Sequence, residues 1–401
     1  MKKCISIKLA VLLVVVLFFS ACRDPIFFTI AQEVAPIEPR IRGTPTNMVV
    51  WENHLFVASG SRLHWYRDGN WDRTDTLPYD YQRLRHLGGR VTMLAATMNH
   101  LYALILHGND TTEVRRFNRS TGIWDLMGMA SSVPRPNLMI QTIFAPNPAS
   151  NNLFIGIGNT DNSDILILRG DSAEMGLLQA DTGILAGAAF GGENYFLPIR
   201  ATVNEVDNIT NPGNTILRYD AGLGLTSMTA YGPHVVGGFA GIINIGDSVV
   251  AIDRGGDLFS VTAAGVSRRS PRVIMYGYAT GALAVWEELH TNERLLLAGR
   301  QGSLSYTFGG TGFTFGYVEL AIPIVAGSFH EPGDVLPPTA STVYNHPRYV
   351  STIGRHGINH IFQVPADICR TRRLFASTQR NGLWSYRDHF NNGEWHWNAE
   401  Y

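Results

Sequence analysis

Cys22 is the residue whose neighbours prescribe a chemistry most directly. Two small side chains, Ser20 and Ala21, precede it, as a signal peptidase groove requires, and its thiol can then be acylated. Other reactive groupings are weaker. His356 and His360 have the spacing of metal ligands, but on a strand they share a face about 13 Å apart, too far for one ion. Asn159-Thr160-Asp161-Asn162-Ser163-Asp164 alternates oxygen-bearing side chains as a calcium loop does, yet the glycine and the terminal glutamate are missing. It reads as a polar turn. The 13 histidines are scattered, and there is no Gly-x-Ser-x-Gly elbow to hold a serine nucleophile. No catalytic residue, metal or cofactor is therefore expected.

The start of the chain shows what Cys22 is for. Lys2, Lys3 and Lys8 precede an apolar run from Leu9 to Phe19, which is too short to span a bilayer as a stable helix. Phe19-Ser20-Ala21-Cys22 resembles the bacterial lipobox, with Phe in place of the usual leucine. The resemblance implies a signal peptide over 1–21, cleavage before Cys22, and a lipidated tether over 22–44. It also implies a body over 45–401 that is anchored to a membrane rather than spanning it. Arg23 stands where an inner-membrane retention signal would place Asp, so the outer membrane of the cell envelope is the expected location, although Asp24 follows. Asn208-Ile209-Thr210 and Asn118-Arg119-Ser120 match the glycosylation acceptor pattern, which carries little meaning in a bacterial precursor. Of the remaining cysteines, Cys4 leaves with the signal and Cys369 stays alone, so no intramolecular disulfide is available and stability must come from a core.

Charge excludes several classes of function. All three lysines lie in the signal peptide, leaving 29 arginines against 33 acids in the mature chain. Lysine Schiff bases, phosphate-loop lysines and lysine general bases are thus ruled out. A slightly acidic chain without basic blocks is also a poor partner for nucleic acid.

The elements that would position any site follow from a repeat of about fifty residues. Seven segments share an apolar run of strand type, a turn and a second strand. Leu55, Leu101, Leu153, Tyr195, Val249, Leu295 and Leu374 are equivalent within them, at steps of 46, 52, 42, 54, 46 and 79 residues. The second run begins at Arg62, Glu113, Ile165, Ile216, Leu258, Leu304 and Leu383. Upstream lie small, apolar stretches such as Gly187-Ala188-Ala189 and Gly241-Ile242-Ile243, suited to innermost strands crowded round an axis. Downstream lie aromatic residues such as Trp71, Trp124 and Trp395. No long stretch has a helical period. The expected fold is all-β, a seven-bladed β-propeller of four-stranded antiparallel blades. Two smaller β-sandwich domains, or a ring of six or eight blades, are the alternatives. Glu113 to Trp124 is similar to the second half of a kelch repeat, and Trp65 to Trp71 and Ser385 to Asp388 loosely resemble Asp-box turns. Neither pattern is complete, so no family's catalytic residues carry over.

A propeller has two faces. Loops joining first to second and third to fourth strands open on one, and here these are short turns such as Glu52-Asn53 and Arg67-Asp68-Gly69-Asn70. Loops joining second to third strands, and blade to blade, open on the other. There the connections are long: 200–214, the polar loop 159–164, and about 323–357. Loops longer than connection requires are commonly functional. This second face is expected to bind an envelope protein or a glycan, with Arg200, Asp207, His330, Glu331, His346 and Arg348 as candidates. Solvated insertions without a partner are the plain alternative. Trp395 and Trp397 on an outer strand are further candidates, for stacking on sugar rings, with blade packing as the plainer explanation. Two other functions stay open: a glycan-active enzyme of sialidase or lyase type, and an outer-membrane assembly component. Acids and arginines gathered at the axial mouth would favour the enzyme. Replacing Cys22 with Ala is expected to abolish incorporation of labelled palmitate in a bacterial host and to release the chain from the membrane fraction.

Overall fold

The apolar runs at the heart of each repeat are uninterrupted rather than alternating, and the structure shows why: both faces of these strands are buried. In His54–Ser59, Leu55 and Val57 pack to one side while Phe56 and Ala58 pack to the other. In Leu101–Leu106, Leu101, Ala103 and Ile105 face one neighbour, and Tyr102 and Leu104 the next. A strand of period two with apolar residues at every position must sit between two layers.

The computed structural model describes residues 41–400, apart from 74–83, 160–161, 200–214, 230–234, 236–237, 247, 263–264, 271–278, 288–293, 301–305, 309–310, 314–316, 323–328, 331–356, 370–372 and 389–394. The described residues belong to one compact unit, Pro39–Glu400. Their strands form seven antiparallel sheets of four strands and a separate two-stranded hairpin. One sheet, blade 3, takes a fifth strand, because Gly128–Met129 adds in parallel along its outer edge and covers part of it.

Inner strands in blade order are Val49–Trp51, Arg90–Ala96, Met139–Phe144, Gly183–Phe190, Phe239–Ile245, Ala279–Glu287 and Ile358–Gln363. Successive inner strands from blade 1 to blade 7 lie side by side. Seven apolar clusters fill the seven spaces between neighbouring blades, the last joining Leu55, Val57 and Tyr66 of blade 1 to Phe375 and Leu383 of blade 7. Seven interfaces for seven sheets is a closed ring, the propeller expected from the repeat.

The seven equivalent residues from Leu55 to Leu374 all fall on second strands. Blade 6 differs from expectation at its third strand. Leu304–Tyr306 does not supply it: Tyr306–Phe308 pairs with Thr311–Phe313 as an inserted hairpin, and Tyr317–Ala321 pairs with the second strand instead. A short apolar run does not encode which of two candidates reaches the neighbouring edge. The insertion, with the 331–356 connection, accounts for the long step of 79 residues.

Inner strands carry a further repeat that composition does not show. In blades 2 to 7 the register with the second strand slips near the inner strand's start, as at Val91/Met93, Ile140/Thr142 and Ile184/Ala186. Such a bulge bends and twists a strand where the ring narrows. Crowding is greatest between blades 5 and 6: a Cβ on Gly241 would press into the Gly281 carbonyl, and one on Gly281 into the Ala240 carbonyl. Gly281 also has φ +86°, a left-handed conformation that L side chains resist. Gly281→Ala is therefore expected to cost about 2–4 kcal/mol, from strain and overpacking together. Gly176→Ala, on an outer strand with open space around the new methyl group, should change stability by less than about 0.5 kcal/mol. Urea unfolding of the two variants measures the difference.

Candidate functional site

Inner strands all run the same way along the axis, so their C-terminal ends gather at one mouth, on the face of the first-to-second turns. Most of these turns are tight. Glu52-Asn53 (φ 46° and 56°) joins the paired Trp51 and His54, and Gly191-Gly192 (φ 61° and 84°) joins Phe190 and Glu193. Positive φ at both central residues is the two-residue turn whose twist matches its strands. The connections of blades 3, 6 and 7 are longer, at 145–152, 288–293 and 364–373. In that of blade 7, Ile368 and Cys369 N–H groups both donate to Pro365 O, at 3.1 Å each, and Val364 N–H to Arg373 O at 2.9 Å.

Two cavities open at this mouth. The first, about 460 Å³, is lined by inner strands of blades 5, 6 and 7 and by Val364, Pro365 and Ala366 of the long connection. The second, about 470 Å³, lies against blades 3, 4 and 5, between Pro146–Pro148, Gly187–Gly192 and Ile242–Asn244. Ile243 lines both.

Side-chain amides stitch the inner strands together and hold the mouth in shape. Gln363 Oε1 accepts from Glu287 N–H at 3.1 Å, and Gln363 Nε2 donates to Glu287 O at 3.2 Å, joining blade 7 to blade 6. Asn47 makes the same two-way contact with Leu94, at 2.7 and 2.9 Å, joining blade 1 to blade 2. Asn244 Nδ2 donates to Ala189 O at 2.9 Å between blades 5 and 4. Each bond satisfies backbone groups that no ladder reaches, which is where a side-chain amide contributes most.

His360 sits at the seam between the last and first blades. Its Nδ1 accepts from Met48 N–H at 3.2 Å, and its ring stacks against Phe362 with 6.2 Å between centroids. Burial opposes a charge there and pushes its pKa down to about 4. The ring is therefore neutral at ordinary pH, and with Nδ1 occupied as acceptor its proton is on Nε2.

Electrostatically the two cavities are quiet. Among the described residues that line the two cavities, Glu287 is the one carboxylate and there is no arginine. Glu287 Oε1 lies 3.7 Å from Arg294 Nε in an exposed pair, a contact of little energetic weight.

The residues expected to bind on the second face are not brought into view together. Arg200, Asp207, Glu331, His346 and Arg348 lie outside the described residues, as does Cys22. His330 belongs to the short outer strand Phe329–His330 of blade 6, paired with Glu319. The connections carrying the others leave from the rim opposite the two cavities: 200–214 follows the second strand of blade 4, and 331–356 follows the outer strand of blade 6. The blade 6 hairpin is inserted on that rim too.

The polar loop is shorter than expected. Asn159 N–H bonds Asn162 O and Asn162 N–H bonds Asn159 Oδ1, both at 2.8 Å, closing a tight turn. Asp164 lies within the strand Ser163–Leu168, buried, accepting from Asp181 N–H at 2.9 Å and facing Arg135 at 3.4 Å. It belongs to the packing of blade 3. Trp397 is likewise buried rather than open to sugars, its indole donating to Tyr317 Oη at 3.0 Å. Neither the long connection of blade 7 nor His360's place at the seam carried a signal in the sequence. Pro365 following a strand-like run is the one available hint.

No family model and no curated protein matches the chain. Among solved structures it is similar to YCF48 from Cyanidioschyzon merolae, with TM-score 0.51 and 12% identity over 86% of this chain and 96% of that one. The likeness is one of fold alone. Virginiamycin B lyase from Staphylococcus aureus aligns at TM-score 0.48 and 10% identity, over 85% of this chain and 93% of that one. A structure of YCF48 bound to D1 peptide aligns at 0.48 and 12%, over 88% and 94%.

His360 makes stability depend on acid. An unfolded histidine titrates near 6.5, well above the folded value. The contribution is therefore complete above pH 6.5 and is lost as pH falls from there towards 4, with a slope approaching about 1.4 kcal/mol per pH unit. In urea unfolding between pH 7.5 and 4.5, wild type should lose stability faster than His360→Asn, which keeps an acceptor for Met48 and does not titrate. Parallel profiles would contradict the assignment.

Proposed function

We propose that this chain is a lipid-anchored extracytoplasmic scaffold, a propeller tethered through Cys22 that presents its second face to an envelope protein or a glycan. The reading rests on two supports. Lys2 to Cys22 have the order of an exported, acylated precursor. Three extended connections, 200–214, 301–316 and 331–356, leave from one rim of the ring, while connections on the opposite rim run to ten residues at most, the longest being 364–373.

The observation that carries the choice of binding over glycan chemistry is the lining of the mouth. Glycoside cleavage needs paired carboxylates, or acids set among arginines, close enough to share a substrate. Among the described residues the two mouth cavities bring together a single carboxylate and no arginine. Net acidity and the lack of lysine in the mature chain argue against nucleic acid as partner.

The test uses the soluble body, residues 30–401, in a glycan array and in affinity capture from solubilised envelopes, followed by titration against the component found. Replacing Arg200, Asp207, His330, Glu331, His346 and Arg348 together by Ala is expected to weaken binding at least tenfold, in line with about 1–3 kcal/mol for lost charged contacts. Unchanged affinity would remove the second face from consideration, and turnover of any arrayed glycan would favour the enzyme.

A further inference from the structure

The mouth cavity between blades 5 and 7 is independent of that reading, because it opens on the other face. Its wall divides almost evenly between polar and apolar surface, and Ile243, Leu283, Val285, Ile361, Phe362 and Val364 are among its apolar residues. Ile243, Val285 and Phe362 are only half-buried, so apolar surface is left facing the space. About 460 Å³ is within the range that small organic ligands occupy.

The polar groups narrow the chemistry of what would fill it. Gln363 is committed to the Glu287 backbone on both its amide atoms. His360 is committed on Nδ1 to Met48, whereas nothing among the described residues accepts from its Nε2–H. That leaves a neutral donor in the cavity wall. Glu287 at the lip disfavours an anion, and no second carboxylate stands beside it in the described lining to favour a cation.

We propose that this cavity is a binding site for a neutral small molecule, held by an apolar portion against Val285 and Phe362 and by a carbonyl or ether oxygen that accepts from His360 Nε2–H. Nothing covalent is involved. Specificity comes from one directed hydrogen bond, where an acceptor of the right reach satisfies a donor.

Benzophenone, a neutral aromatic ketone that attaches to nearby C–H bonds on illumination, is the probe. With the folded soluble body, labelling is expected to saturate and to map to peptides containing residues 283–287 and 358–366. Ala366→Trp, an exposed lip position, fills the cavity without entering the core and should cut labelling at least tenfold. The carbonyl stretch of bound ketone should lie lower in wild type than in His360→Phe. Labelling spread along the chain, or unaffected by Ala366→Trp, would overturn the site. An unshifted carbonyl stretch in wild type would overturn the hydrogen bond. Should His360→Phe fail to fold, the Ala366→Trp comparison and the wild-type stretch still decide.

Discussion

The seam where the last blade meets the first is the contact on which this ring depends. Each blade buries two faces, so a row of blades leaves two unsatisfied apolar faces, and only closure removes both. All four strands of blade 1 come from the start of the described chain and all four of blade 7 from its end, so no strand is shared across the seam. Closure instead uses a cluster in which Tyr66 and Trp71 each meet Phe375 edge-on, with the three ring centroids 5.1 to 5.6 Å apart. The segment ahead of blade 1 lies along the same seam. Ile41 is buried there, ahead of the boundary at 45 read from the sequence, and Ile41 O and Gly43 O accept from Leu383 and Gly382 N–H at 3.0 and 2.8 Å. Buried Glu400 near the other end accepts from both Ser385 and Trp71. The two ends of the body thus tie one joint from opposite sides.

This arrangement has a consequence for the mouth. His360 bonds Met48 across the seam and also lines the cavity beside blade 7, so one imidazole belongs both to the ring's closure and to its axial space. Its neutrality serves both: a charged ring would lose the Met48 bond and carry an unpaired cation into an apolar surrounding. The amides of Asn47 and Gln363 work in the same region, fixing neighbouring inner strands to each other where the β-ladders end.

The ring also separates its two faces by construction. Tight turns with positive φ bring the inner strands of blades 1, 4 and 5 to the mouth with little to spare, whereas the longest connections, 200–214, 301–316 and 331–356, join second to third strands or blade to blade. The blade 6 hairpin shows this tolerance: an insertion after the second strand displaces the third strand along the chain but leaves four strands in the sheet. Asp164 shows the opposite case. A polar residue beside a loop in sequence lies buried in the blade, where its carboxylate accepts from the Asp181 backbone N–H.

The number and type of blades were legible in the chain because burial on both sides of a strand leaves a mark at every residue. Leu55, Leu101 and their five counterparts stand in unbroken apolar runs, and such runs have no other economical use in a chain without helical periods. The small residues at 187–189 and 241 likewise foretold inner strands, since crowding at an axis excludes side chains whatever their neighbours. Inner strands of blades 3 and 7, Met139–Phe144 and Ile358–Gln363, lacked that composition and were found only by their pairing. The third strand of blade 6, the place of His360 at the seam, and the cavity it lines depend on residues hundreds of positions apart meeting once the ring closes. Local pattern records whether a side chain will be buried; which distant surface buries it is decided by closure.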